Sequence, residues 1–352
     1  MLQRPIQLCR LELLPAELLE RIFFYSLEVN LPRASLHIAK ILSKPIIYKW
    51  LIRLAFSSPN QSSRNGFFTP DFLPPPLDFW SLKITERACL QTEILSCRWS
   101  TLSLFRQCQK EYVKHIIHRK CADLIFSPED QLKLNDIDQF LSRPMDFDLA
   151  VRGRRGSGDL VLRPKVKGSD SSKKPSEIRL AFWFHFGAVQ LNGPSVVSYE
   201  LDTFRLPCAP SMDEPPRMPD KLLQEPWTAE KLEFLTLFSH DAYIDEDNNF
   251  TRSRHVLRQL IRDRDHVTFE KLLGMNIKSK NYAFPSPWPV KTRHFRAALK
   301  YAEGPNDPFV RLLHEYRWLA LGERERDIRE GFLANLHLSP PPRTGLRTST
   351  GS

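Results

Sequence analysis

Leu13-Leu14-Pro15-Ala16-Glu17-Leu18-Leu19-Glu20-Arg21-Ile22-Phe23-Phe24-Tyr25-Ser26 is the stretch on which the reading of this chain turns. Pro15 suits the first position of a helix, where its missing N–H costs nothing and its φ is already set. Leu18, Leu19, Ile22 and Phe23 then recur at helical spacing and make a wide apolar face. Glu17, Glu20 and Arg21 lie opposite, and Glu17 stands four residues before Arg21, an acid-before-base spacing that supports a helix weakly. That is more apolar surface than one short helix needs to join its own core, so the stretch is expected to offer a docking face.

Working outward, Asn30-Leu31-Pro32-Arg33-Ala34 reads as a turn. A second helix is expected over residues 35–43, with Leu36, Ala39 and Leu42 on one side. A third is expected over residues 45–56, where Ile46, Ile47, Trp50, Leu51, Leu54 and Ala55 recur at helical spacing. Three short apolar helices in residues 11–56 are too small a unit to bury their own surface. The pattern Leu14-Pro15-x-Glu17-Leu18-Leu19-x-x-Ile22-Phe23, followed by these two helices, resembles the opening of an F-box. That module docks receptor subunits of SCF-type (cullin–RING) ubiquitin ligases on a Skp-family adaptor. The resemblance implies that Leu14, Pro15, Leu18, Leu19, Ile22 and Phe23 contact the adaptor, and through it a cullin. It also implies a non-catalytic substrate receptor for an unknown target protein, with no enzyme activity and no cofactor. An F-box continues with a Cys/Ser-Arg-x-Trp segment, which residues 31–56 lack. Cys97-Arg98-Trp99 looks like that segment but lies far downstream, so either Trp50 takes its place or the module is assembled from distant pieces.

A competing expectation is a self-contained interaction scaffold whose first helix packs on its own domain. The two differ in one consequence. Deleting residues 1–56 would destabilise the rest of a scaffold but leave the body of a modular receptor nearly unchanged.

The composition is globular, 41% hydrophobic and 26% charged, and 352 residues leave room for two or three domains. The net charge of +10 is unevenly spread. Residues 200–250 carry 12 acids against 4 bases, and residues 251–352 carry 19 bases against 10 acids. Segments of opposite sign can pair internally, so nucleic acid is not the expected partner. The alternative would use Arg152, Arg154, Arg155, Lys165 and Lys167, but no aromatic residues interleave with them. No long uncharged apolar run suggests a membrane span. Six cysteines are too sparse for a disulfide framework, which points to an intracellular compartment, cytoplasmic or nuclear.

The expected fold class is α+β and predominantly helical: an N-terminal three-helix F-box-like module and a helical body with a small antiparallel sheet. Residues 57–80 read as a Pro/Ser-rich linker, stiffened by Pro74-Pro75-Pro76 and anchored at its end by Phe79 and Trp80. The body spans residues 81–337. Helices are expected over 84–126, broken near Trp99-Ser100, with Phe105, Cys108, Tyr112 and Ile116 as one stripe and Lys110, Lys114 and His118 opposite. A sheet is expected over about 147–206. Its signals are a hairpin of 148–152 with 159–163, and Ile178 to Phe186 alternating with period two. Helices resume over 228–336. Thr251 to Gly274 has some flavour of an ankyrin helix pair, but one unit does not make a solenoid. Asp307-Pro308 marks the start of a long helix, with Phe309, Leu312, Leu313, Tyr316, Leu319 and Ala320 on its buried side. Residues 338–352 have the composition of a disordered tail.

The remaining candidates carry less. Cys89, Cys97, Cys108, His115, His118 and Cys121 include no Cys-x2-Cys knuckle, so no metal is expected there. Asp245-Glu246-Asp247-Asn248-Asn249 opens like a calcium loop but puts Phe250 and Val256 where glycine and a bidentate glutamate are required. Gly153-Arg154-Arg155-Gly156-Ser157-Gly158 lacks the Gly-Lys-Ser/Thr ending of a phosphate loop and reads as a solvated hairpin tip.

Overall fold

The computed structural model describes residues 10–58, 67–142, 159–167, 178–184, 187–192, 202–204, 217–239, 241–244, 251–279, 285–322 and 324–338. The chain is a predominantly helical α+β protein. It divides into two compact units: the first comprises residues 1–222 and 228–243, the second residues 223–227 and 244–352.

In the first unit the three N-terminal helices are α1 (Ala16–Ser26), α2 (Leu36–Leu42) and α3 (Pro45–Phe56), followed by α4 (Ile84–Ser96) and α5 (Leu102–Lys120). Ser35 caps α2 by accepting from the Ile38 N–H at 3.2 Å, and Thr101 caps α5 in the same way at 3.3 Å. Helix α3 is the spine. From Leu51 to Phe56 every residue is buried, because its sequence is apolar nearly all round and it packs on both α4 and α5. Phe56 meets Phe105 edge-on at 4.7 Å and lies against Phe204 and Phe238. Gln91 donates to the Ala55 carbonyl at 2.7 Å. Arg53 is the charged exception on this face. It donates to Glu111 at 2.5 Å and to the Phe72 carbonyl at 3.0 Å, with its guanidinium 4.7 Å from the centre of the Phe72 ring.

This arrangement corrects two expectations. Residues 67–80 are not a free linker, because Phe67, Phe72, Leu73, Leu77 and Phe79 are buried. The aromatic residues of this segment close over α5: His115 stacks on Phe72 at 4.3 Å and bonds to the Phe67 carbonyl at 2.5 Å. Phe79 is an anchor, with Arg87 over its ring at 3.6 Å, whereas Trp80 stays at the surface. Nor do residues 11–56 form a separable module. The contacts of α3 make them part of the first unit's core.

The break at Trp99-Ser100 falls between α4 and α5 as expected, and Phe105, Cys108, Tyr112 and Ile116 form the buried stripe of α5. On its other side Lys114 pairs with Asp138 and Lys110 donates to Ser142. These partners belong to a small helical turn built from α6 (Pro128–Asn135) and α7 (Ile137–Leu141). Short strands also lie in this unit: β1 (Ser57–Ser58), β2 (Leu124–Ile125), β3 (Leu160–Leu162), β4 (Lys165–Val166), β5 (Arg179–Trp183), β6 (Ala188–Asn192) and β7 (Thr203–Phe204). The main sheet runs β3-β5-β6, all antiparallel, with Leu162 opposite Leu180 and Phe182 opposite Val189. Leu180 to Trp183 are all buried, so the alternation in this strand marks two covered faces. The 148–152 arm of the expected hairpin and the glycine-rich tip lie outside the described residues, and β3 pairs with β5. Helix α8 (Ala229–Ser239) adds Phe234 and Phe238 to the aromatic core, and Thr228 caps its first turn.

The second unit holds α9 (Thr251–Arg262), α10 (His266–Gly274), α11 (Thr292–Lys300), α12 (Pro308–Arg317) and α13 (Arg326–Asn335), and in it β8 (Asn276–Ser279) pairs antiparallel with β9 (Ser286–Pro287). Phe269 packs on Phe309 at 5.0 Å and Phe295 on Phe332 at 5.3 Å. Asp307 behaves as its sequence suggests: Oδ1 accepts from the Phe309 and Val310 N–H groups, while Oδ2 takes Arg264 at 2.6 Å. The long helix expected after it is shorter. It ends at Arg317 and tightens into a 3-10 turn, Trp318–Ala320. The change of pitch rotates Leu319 and Ala320 off the buried side, and Tyr316 is also exposed. The acidic cluster 245–249 and the tail 339–352 lie outside the described residues. No helix among the described residues is long and apolar enough to cross a membrane.

Candidate docking surface

Helix α1 enters from a 3-10 turn, Arg10–Leu13, and Pro15 occupies the N-cap, not the first helical position, because its ψ of 149° is extended. The helix ends at Leu27, whose φ of 50° is left-handed and whose N–H bonds back to the Phe23 carbonyl at 2.8 Å. A branched side chain there carries some strain, since glycine is the usual occupant.

The six residues implied by the F-box resemblance separate into two sets. Leu19 and Phe23 are 0% and 1% exposed and belong to the core. Phe24 joins them and reaches Trp50 of α3 edge-on at 5.9 Å. Leu18 and Ile22 are 44% and 39% exposed, and Pro15 is exposed beside a half-buried Leu14. Leu18, Ile22 and Tyr25 fall at i, i+4 and i+7, one stripe along the outer side of the helix. Leu13 at the helix entry is exposed as well, and so are Leu36 at the start of α2 and Ile46 at the start of α3. The expected contact set therefore loses Leu19 and Phe23, which cannot touch a partner without unpacking α1. Tyr25 and Leu13, outside that set, are exposed. The apolar run from Leu18 to Phe24 is wide enough for both sides of a helix, which is why spacing alone did not separate them.

The rim of this stripe is charged. Glu17 and Arg21 are exposed, and among the described residues Glu20, not Glu17, takes an ion-pair partner: Lys44, at 2.5 Å. This pair ties α1 to the turn before α3 but is open to solvent, so it contributes at most about 1 kcal/mol.

The Cys97-Arg98-Trp99 triplet returns to this region through the fold. Trp99 stacks on Tyr48 of α3 with ring centres 4.3 Å apart and planes 3° from parallel. Lys221 holds the turn by donating to the Cys97 carbonyl at 2.5 Å and the Ser100 carbonyl at 2.7 Å. Burial lowers the Lys221 ammonium to about 8. Trp50 occupies a different place, against Phe24. The triplet thus reaches the N-terminal helices from between α4 and α5.

The cysteine and histidine set assembles no metal centre among the described residues. Cys108 and Cys121 are buried, and burial pushes both thiols up to about 12. The His115 ring is held by stacking, and burial lowers its pKa. No family model, curated protein or solved structure matches the chain.

Proposed function

We propose that this chain is an F-box-like, non-catalytic receptor that docks on a Skp-family adaptor through the outer side of α1 and so links a target protein to a cullin-type ubiquitin ligase. One observation carries the reading: α1 leaves Leu18, Ile22 and Tyr25 at the surface while Leu19, Phe23 and Phe24 lock it from behind. A rigid helix with an apolar outer stripe suits recognition in which one helix face meets an apolar groove. Fully burying each large apolar side chain is worth about 1.5–3 kcal/mol. Leu18 and Ile22 are already partly covered, so Leu13, Leu14 and Tyr25 have to share the contact if it is to exceed the cost of association.

The placement of α3 favours a second reading, an interaction scaffold with no ligase link. Residues 11–56 are built into the first unit, so deleting 1–56 would remove Arg53 and Phe56 from its core under either reading. Deletion therefore no longer separates the two, and surface substitution does. Co-expression with a tagged Skp-family adaptor is the test. The wild-type chain co-purifies and the Leu18→Asp, Ile22→Asp double variant does not. Retention of the double variant, or no capture of the wild type, leaves the scaffold reading.

A further inference from the structure

Arg33, Ser43, Tyr48, Cys97, Arg98 and Trp99 are among the residues lining a cleft of about 520 Å3 in the first unit. Its walls come from three separated segments: the 3-10 turn Leu31–Arg33, the approach to and first turns of α3, and the turn between α4 and α5. Such a volume falls in the range of small-molecule sites, roughly 300–1,000 Å3.

Two features of the lining point to one ligand chemistry. The first is a fixed aromatic wall. Tyr48 and Trp99 lie parallel, and Lys221 holds the turn that carries Trp99 through the Cys97 and Ser100 carbonyls. The second is cationic. Arg33 and Arg98 are both exposed, and among the described residues neither guanidinium has an ion-pair or hydrogen-bond partner. The Cys97 thiol lies in the fields of Arg33 and Lys221, which places positive charge around the cleft, with Glu93 as an opposing carboxylate. Guanidinium groups recognise phosphate and carboxylate oxygens through paired N–H donors. Flat aromatic side chains take planar rings by stacking. Glu93, close to Glu28, weighs against a ligand of high negative charge and favours one anionic group.

We propose that this cleft binds a small phosphorylated ligand carrying a planar ring, of the size of a nucleoside monophosphate. The phosphoryl group sits on Arg33 and Arg98, and the ring lies against the Tyr48–Trp99 pair that lines the cleft. None of Leu14, Pro15, Leu18 or Ile22 lines the cleft, so this site and the docking surface of α1 stand or fall separately.

Calorimetric titration of the full chain with adenosine monophosphate, adenosine and inorganic phosphate tests the proposal. The monophosphate is expected to bind at least about tenfold more tightly than either fragment. Arg33→Gln and Arg98→Gln are each expected to weaken it about tenfold, in keeping with charged hydrogen bonds. Trp99→Ala should reduce the monophosphate to the affinity of phosphate alone. Both arginines are exposed, so their variants should keep the wild-type melting point and the test does not depend on the Trp99 variant folding. No binding at millimolar monophosphate, or binding that survives the Arg33→Gln, Arg98→Gln double variant, overturns it.

Discussion

Helix α1 has two apolar sides, and replacing one residue from each should have opposite consequences. Phe23 is 1% exposed, and its truncation to alanine removes a ring packed beside Phe24. Phenylalanine-to-alanine changes at such sites cost about 3–5 kcal/mol, from lost transfer energy and the cavity left behind. In a unit of this size each kcal/mol moves the melting point by about 2–4 °C, so Phe23→Ala should lower it by roughly 6–20 °C. Leu18→Asp with Ile22→Asp touches only the outer stripe. Its cost is the lower helix propensity of aspartate plus the loss of the covered part of two side chains, about 2 kcal/mol in all, or roughly 4–8 °C and toward the lower end of the Phe23→Ala range. Far-UV circular dichroism of the full chain during heating reads both. If the outer double variant falls as far as Phe23→Ala, the stripe is a folding element and not a spare surface, and the docking argument fails.

Three further outcomes follow from the charges and thiols. Burial raises the Glu111 carboxyl, but Arg53 and Lys49 outweigh it and hold the group below its ordinary 4.5. A depressed carboxyl stabilises the fold above that value, and the contribution is lost as pH falls through the folded pKa. Glu111→Gln should therefore cost about 1.5–3 kcal/mol at neutral pH and lessen the loss of stability in acid, as read by urea unfolding across pH. His294 is lowered to about 3 by burial and by Arg293, Arg258 and Lys291, so the unfolded chain binds a proton there that the folded chain refuses. Its contribution is complete above pH 6.5 and falls by about 1.4 kcal/mol per pH unit between 6.5 and 3; His294→Gln should flatten that slope in the second unit. Among the described cysteines Cys89 is exposed while Cys97, Cys108 and Cys121 are buried, so mass spectrometry after brief alkylation should find Cys89 modified first and Cys108 only on unfolding.

Much of the helical framework could be read from local signals. The break between α4 and α5, the buried stripe of α5 and the Asp307 cap each follow from residues close in sequence, and local physics decides them. What could not be read depends on partners brought from afar. Arg53 reads as the polar interruption of α3, yet Glu111 and the Phe72 carbonyl let it be buried. The segment 67–80 reads as a linker because its prolines break every period. Its aromatic residues nevertheless close over α5 and His115, and no spacing rule announces that. Leu319 loses its expected burial to a 3-10 turn after Arg317. In the candidate site, the pattern located the helix, but the division of its apolar residues between core and surface required the positions of α2 and α3. The meeting of Trp99 with Tyr48 crosses some fifty residues, and only the fold supplies it.

The most direct measurement is the dissociation constant between the purified chain and a purified Skp-family adaptor. Saturable binding is expected for the wild type, with at least about tenfold weakening by Leu18→Asp with Ile22→Asp, the loss expected from two half-covered apolar contacts of about 1 kcal/mol each. Equal constants for the two proteins, or no binding by the wild type, would contradict it.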